Sequence, residues 1–78
     1  MKYIRSNING ILIFSIFSSH KGVANKLEFK DIISAGFIGF QGTQPYCYGY
    51  SQSLNLKSLE EDTIILRRQF EKAGFVEE

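Results

Sequence analysis

Tryptophan is absent from this chain of 78 residues, and cysteine, proline, histidine and methionine occur once each, as Cys47, Pro45, His20 and Met1. A single cysteine excludes an internal disulfide, and one cysteine with one histidine cannot supply a four-ligand protein zinc site, so neither a metal nor a cofactor is expected. Charge is scarce in either sign: nine Lys and Arg stand against eight Asp and Glu, a formal +1. The basic residues are scattered, which argues against an electrostatic binder of DNA or of a membrane surface. Long apolar runs are also missing. The best candidate, Ile11 to Phe17, is far short of the roughly 20 residues that span a bilayer. Lys2 and Arg5 ahead of that run imitate a signal peptide, yet Asn9-Gly10 precedes it and no small-residue cleavage site follows. A soluble, cytoplasmic protein is therefore expected, and a lone unpaired thiol suits a reducing compartment.

What is present is apolar and aromatic: 44% hydrophobic and 14% aromatic residues with one proline, a composition that excludes a disordered chain. Residues 1–78 read as one small α+β domain. A domain this short lies near the size at which burial and chain entropy cancel, so it needs good packing or self-association.

Period-two alternation marks the strands. Lys2 to Phe17 reads as a hairpin closed by Asn9-Gly10, a pair suited to a type I′ turn that sets Ile8 opposite Ile11. That register groups Ile4, Ser6, Ile11 and Ile13 on one face and Tyr3, Arg5, Leu12 and Phe14 on the other. Ser18 or Ser19 caps a short helix from His20 to about Leu27, with Val23, Ala24 and Leu27 as its apolar side. Ile32 to Phe40 forms the third strand. Gln41 to Pro45 forms a five-residue loop, and Tyr46 to Leu54 returns with Tyr46, Tyr48, Tyr50, Gln52 and Leu54 on one side. Ser58 with Glu61 is a capping-box pattern for a final helix. Glu60, Glu61 and Asp62 suit its N-terminal end, and Arg67, Arg68 and Lys72 its C-terminal end. Its stripe is Leu59, Thr63, Leu66, Phe70 and Ala73, widened by Ile65, with Gly74 as the stop and Phe75 and Val76 folding back on the last turn.

The element order is then ββαββα, a four-stranded, largely antiparallel sheet with two helices on one face. A permuted ferredoxin-like strand order 1-2-4-3 and a two-hairpin meander are the candidate topologies. Both faces of the sheet carry large apolar side chains, and two helices on one face leave the other uncovered. A second copy of the chain is the economical cover, so a homodimer is expected.

The functional expectation is a noncatalytic interaction module that binds a protein partner through a Tyr-rich sheet face or an edge strand, with Tyr46, Tyr48, Tyr50 and Phe40 as partner-binding residues. Compact accessory proteins of phages and other mobile elements are of this physical type. The alternative is a single-stranded nucleic-acid binder that stacks bases on the sheet aromatics beside Arg5, Arg67 or Arg68. Ala35 to Phe40, AGFIGF, has a likeness to the aromatic strand of RNA-recognition sheets, although it lacks their leading basic residue. Nucleic acid is the less favoured partner. Gly36, Gly39 and Gly42 match neither a dinucleotide fingerprint nor a phosphate loop. An enzyme built on Cys47 and His20 is not expected. The plainer reading is a small buried thiol and a surface histidine.

Overall fold

A computed structural model describes residues 1–8 and 10–72. Strands β1 (Lys2–Ser6) and β2 (Gly10–Phe14) are followed by helix α1 (His20–Lys26). Strands β3 (Ile32–Gln41), β4 (Gln44–Tyr48), β5 (Tyr50–Ser51) and β6 (Leu56–Lys57) then lead to helix α2 (Glu60–Lys72). The main sheet has the order β2-β1-β3-β4 with every neighbouring pair antiparallel, and β5 and β6 form a separate two-stranded ribbon. The α+β class and the four-stranded antiparallel sheet are as expected. The 1-2-4-3 order is not, nor is a plain meander. β2 and β3 flank β1 and run in the same direction, so α1 carries the chain over the strand between them, a split β-α-β connection.

The first hairpin forms in a different register from the one its turn residues suggest. Ser6 pairs with Gly10 and Tyr3 with Ile13, not Ile8 with Ile11. Asn9 lies outside the described residues. Changing the pairing by an odd number of residues turns β2 over relative to β1. Tyr3 and Arg5 consequently share a face with Ile11 and Ile13, and Ile4 and Ser6 share theirs with Leu12 and Phe14. The turn residue Ile8 stays in solvent while its N–H donates to Ser6 Oγ at 3.0 Å. Ile11 is buried instead, and its N–H and C=O are held by the amide of Gln69 from α2, at 3.0 and 3.3 Å.

The helices lie on opposite faces, which corrects the expectation that both cover one. On one side, Tyr3, Ile11 and Ile38 pack with Leu66 of α2, joined by Ile13, Cys47, Ile65 and Phe70. On the other, Ile4 and Ala35 pack with Ala24 of α1, joined by Leu12, Phe14, Val23, Phe29, Ile32, Leu54 and Leu56. Neighbouring strand residues fall into different clusters, Tyr3 and Ile4 among them, as side-chain alternation requires. The two-sided apolar strands are therefore accounted for inside the chain. α2 makes one outer layer, while α1 and the β5–β6 ribbon make the other. A register shift between Arg5 and Ser6 pairs Ser6 with Ile32, leaves Ile33 as the extra residue, and sends Ile32 to the α1 side.

Local chemistry explains the remaining element ends. Ser19 is the α1 N-cap and accepts from the Gly22 N–H at 2.9 Å. The loop expected over Gln41 to Pro45 is shorter: Gln41 pairs with Gln44, leaving Gly42-Thr43, with Gly42 at φ +64° as the first centre of a type II′ turn requires. Pro45 sits on the outer strand, where its missing N–H breaks no ladder, and its carbonyl accepts from Arg67 Nε at 2.9 Å. The strand expected from Tyr46 to Leu54 breaks at Gly49, φ +76°, whose carbonyl accepts from both the N–H and the hydroxyl of Ser58 at 2.9 Å. Ser58 is thus engaged elsewhere, and the expected Ser58–Glu61 capping box does not form; only its return half is made, one residue on, from Asp62 to the Leu59 N–H. Asp62 accepts from the Leu59 N–H at 2.9 Å, and Glu61 pairs with Arg5 instead. Ala73, Gly74, Phe75 and Val76 lie outside the described residues.

α2 crosses the sheet and attends to both of its edges. Gln69 engages the outer side of β2 at Ile11, while Thr63 Oγ1 accepts from the Cys47 N–H of β4 at 2.9 Å and Arg67 binds Pro45. Side chains placed on edge backbone groups oppose pairing with another strand.

Candidate functional site

The β3–β4 hairpin determines where the tyrosines go. Phe37 pairs with Tyr48 and Gly39 with Tyr46, which puts Tyr46 and Tyr48 on the α1 side of the sheet. Rings on this side form a continuous strip. Phe14 meets His20 edge-on at 5.5 Å and His20 meets Phe37 edge-on at 5.7 Å. Phe37 stacks with Tyr48 at 5.8 Å, and Tyr48 lies 5.6 Å from Tyr46. Ring pairs at these spacings are mutually attractive and stiffen one another. Gly39 makes the outer end possible, because a Cβ there would stand 2.6 Å from Cζ of Tyr46, so the tyrosine ring lies flat across bare backbone.

The strip runs from buried to open. His20 is buried, whereas Tyr46 and Tyr48 are 37% and 48% exposed. Tyr50, 57% exposed, belongs to the ribbon beyond the Gly49 kink and does not continue the row along β4. Phe40 departs from the expected group. Its parity along β3 is that of Ile38, so it faces α2, where its ring lies 6.2 Å from Phe70. It meets Tyr46 only around the hairpin edge, in a hollow of about 300 Å³ shared with Gln41.

Between the strip and the ribbon opens a cleft of about 430 Å³ lined by Lys2, Ser19, His20, Phe37, Tyr50, Gln52 and Ser53. α1 is tied to the ribbon here by the Lys21 N–H on Ser53 Oγ at 3.2 Å. Lys2 reaches the β2–α1 turn, donating to the Ser18 carbonyl at 3.0 Å. In that turn Phe17 is 93% exposed. His20 is thus no surface residue, contrary to expectation. Its Nε2 lies 2.8 Å from the Gly36 carbonyl, and since a carbonyl only accepts, Nε2 carries the hydrogen. Burial holds the imidazole below its usual range; the Gly36 hydrogen bond opposes this and the Lys2 charge adds to it.

A second polar cluster lies on the α2 side. Asp62, fully buried, accepts from Tyr3 Oη at 2.5 Å, Arg5 Nη1 at 2.8 Å, Ser34 Oγ at 2.9 Å and the Leu59 N–H. Burial alone would raise its pKa, but these four donors outweigh burial and lower it. Tyr3 is driven upward by burial and then by Asp62. Arg5 carries a further ion pair to Glu61 at 2.8 Å. Among the described residues no buried side-chain nitrogen or oxygen lacks a partner, so this cluster is a closed structural network.

The geometry separates the groups that an enzyme or a nucleic-acid reading would combine. Cys47 belongs to the α2-side core and His20 to the α1 side, so the sheet stands between them. Burial pushes the Cys47 thiol up to about 11, away from a nucleophilic thiolate. Arg5 is committed to Asp62 and Glu61, and Arg67 and Arg68 ride on α2 across the sheet from Tyr46 and Tyr48. Lys2 is a cation beside Phe37 and Tyr50. Sequence reasoning missed Lys2, Phe37 and His20 as one group, because the three lie on different elements. It also missed Asp62, whose signal was a carboxylate within the apolar stripe, three residues after Leu59 and four before Leu66. No described helix is long and apolar enough to cross a membrane. Comparison with known proteins finds no matching family model, curated protein or solved structure.

Proposed function

We propose that the protein is a noncatalytic interaction module that docks a protein partner on the rim formed by Tyr46, Tyr48 and Tyr50. The observation that carries this reading is the half-open pair Tyr46 and Tyr48, stiffened by stacking on Phe37 and by the bare backbone of Gly39. Tyrosines held in place offer large contact area and a hydroxyl while losing little side-chain entropy on binding. Phe40 is left out of the docking set because it faces α2. Covering the sheet gives no reason for a homodimer, since both faces are covered from within the chain, and the edge contacts of α2 weigh against strand-to-strand dimers. The partner in this reading is therefore a different protein.

The test is affinity capture from the native host with wild type and Tyr48→Ala side by side, followed by titration of the purified captured protein. A partner bound by wild type and weakened by about 1–2 kcal/mol or more in the variant supports the reading. Equal binding to both, with the variant's circular dichroism unchanged, removes it. Single-stranded nucleic acid is the second reading, favoured by Lys2 beside stackable rings. Binding of mixed-sequence oligonucleotides that weakens with salt and is lost in Tyr48→Ala would put it first.

A further inference from the structure

The cleft beside the tyrosine rim has its own chemistry. Its aromatic lining is Phe37 and Tyr50; its charged group is Lys2; its other polar groups are Ser19, Gln52, Ser53 and the imidazole of His20; and no carboxylate lines it. At about 430 Å³ it falls in the size range of small-molecule sites, which are mostly apolar walls with a few placed polar groups. The position of His20 makes it more than a dent. Nε2 is committed to Gly36, and Nδ1 has no partner among the described residues. Because none of their buried side-chain nitrogens lacks a partner, Nδ1 is not fully enclosed, and His20 is among the residues that line the cleft.

We propose that this cleft binds a small ligand in which a flat ring is joined to an anionic group, the ring lying against Phe37 and Tyr50 and the anion between Lys2 Nζ and His20 Nδ1–H. The inference does not rest on partner docking at the tyrosine rim. Nδ1 donates to an anion only when the imidazole is protonated, so binding takes up a proton. The groups facing His20 are Lys2 from β1, the Phe14 ring from β2 and the Gly36 carbonyl and Phe37 ring from β3, with Tyr50 of β5 lining the same cleft. The one cation among them opposes protonation and no anion favours it. An anionic ligand reverses that balance, and its affinity therefore rises as pH falls.

His20 is the sole histidine, so its ring signals in an NMR spectrum of the full chain are unambiguous. Adenosine monophosphate, uridine monophosphate and benzoate are titrated as ring-bearing anions, with adenosine and inorganic phosphate as the separated halves. At least one ring-bearing anion should shift the His20 signals to saturation in the low-millimolar range or below. It should bind about tenfold tighter near pH 5.5 than near pH 8, and at least about tenfold tighter than either half. Lys2→Gln should weaken it about tenfold while the ligand-free His20 titration moves upward, as loss of the Lys2 charge requires, and His20→Gln, read by calorimetry, should remove the gain in affinity toward low pH. The proposal is overturned if no ring-bearing anion moves the His20 signals, if phosphate alone binds as tightly, or if Lys2→Gln binds as wild type does. The Lys2 variant keeps the test decisive should His20→Gln fail to fold.

Discussion

Replacing Asp62 by alanine tests the account of the α2-side core most directly. The carboxylate is fully buried and accepts four hydrogen bonds, two from side chains of β1, one from β3 and one from the backbone ahead of α2. Its loss deprives the Tyr3 and Ser34 hydroxyls of the carboxylate they both donate to. It also leaves the Arg5 guanidinium, only 12% exposed, with Glu61 alone. Removing one member of a buried charged pair costs about 3–5 kcal/mol, most of it the stranding of the remaining partner. A domain of this length has about 4–12 kcal/mol in total. Asp62→Ala should thus lose between about a quarter and all of that stability, read as a urea midpoint well below that of wild type by circular dichroism. Asp62→Asn keeps one acceptor oxygen but turns an amide donor toward Tyr3 or Leu59, and should lose about 2 kcal/mol. Combined with Tyr3→Phe, it should show a coupling energy of about 1 kcal/mol or more. An Asp62→Ala protein within about 1 kcal/mol of wild type would refute the idea that this network ties α2 to the sheet.

Three further outcomes are expected. His20 titrates below its ordinary value, so the unfolded chain takes up the proton first as pH falls. The His20 contribution is intact above about pH 6.5 and declines from there toward the folded pKa, and His20→Gln should flatten that first acid step in thermal melts. The depressed Asp62 carboxyl adds a second loss at lower pH, as the solution falls through its folded pKa. Gly49→Ala should cost about 1–2 kcal/mol in chemical unfolding, because φ is +76° and the new Cβ would stand 3.0 Å from the Phe37 ring. A variant as stable as wild type would mean that the β4–β5 corner is not constrained as described. Gln69→Ala frees the Ile11 N–H and C=O on the edge of β2, and should lower stability by about 1 kcal/mol and increase concentration-dependent association in sedimentation. Unchanged sedimentation would show that the edge needs no such guard.

The candidate site was half visible in the sequence. Tyr46 and Tyr48 were legible as neighbours on one face because alternation along a strand needs only the strand to exist, and Gly39 opposite Tyr46 holds that pair open. Tyr50 is separated from them by a positive φ at Gly49, and Phe40 shares the parity of Ile38 along β3, which sets it on the α2 side. His20 was invisible as a site residue. Nothing within a few positions of it announces that Phe14, Gly36 and Phe37 will close around its ring.

The sequence by itself determined what is local: strand alternation, the Ser19 cap of α1, the glycine turn after Gln41 and the acidic start of α2. These act through the backbone of a few residues and are indifferent to what packs above them. Only the tertiary structure decided the strand order, the register of the first hairpin and the side on which each helix lies. A strand apolar on both faces is satisfied by either assignment, and one odd step in pairing exchanges those faces without altering any local preference. The choice fell to long-range contacts, Gln69 holding Ile11 and Asp62 gathering Tyr3, Arg5 and Ser34 beneath α2, which left α1 and the ribbon to cover the opposite face.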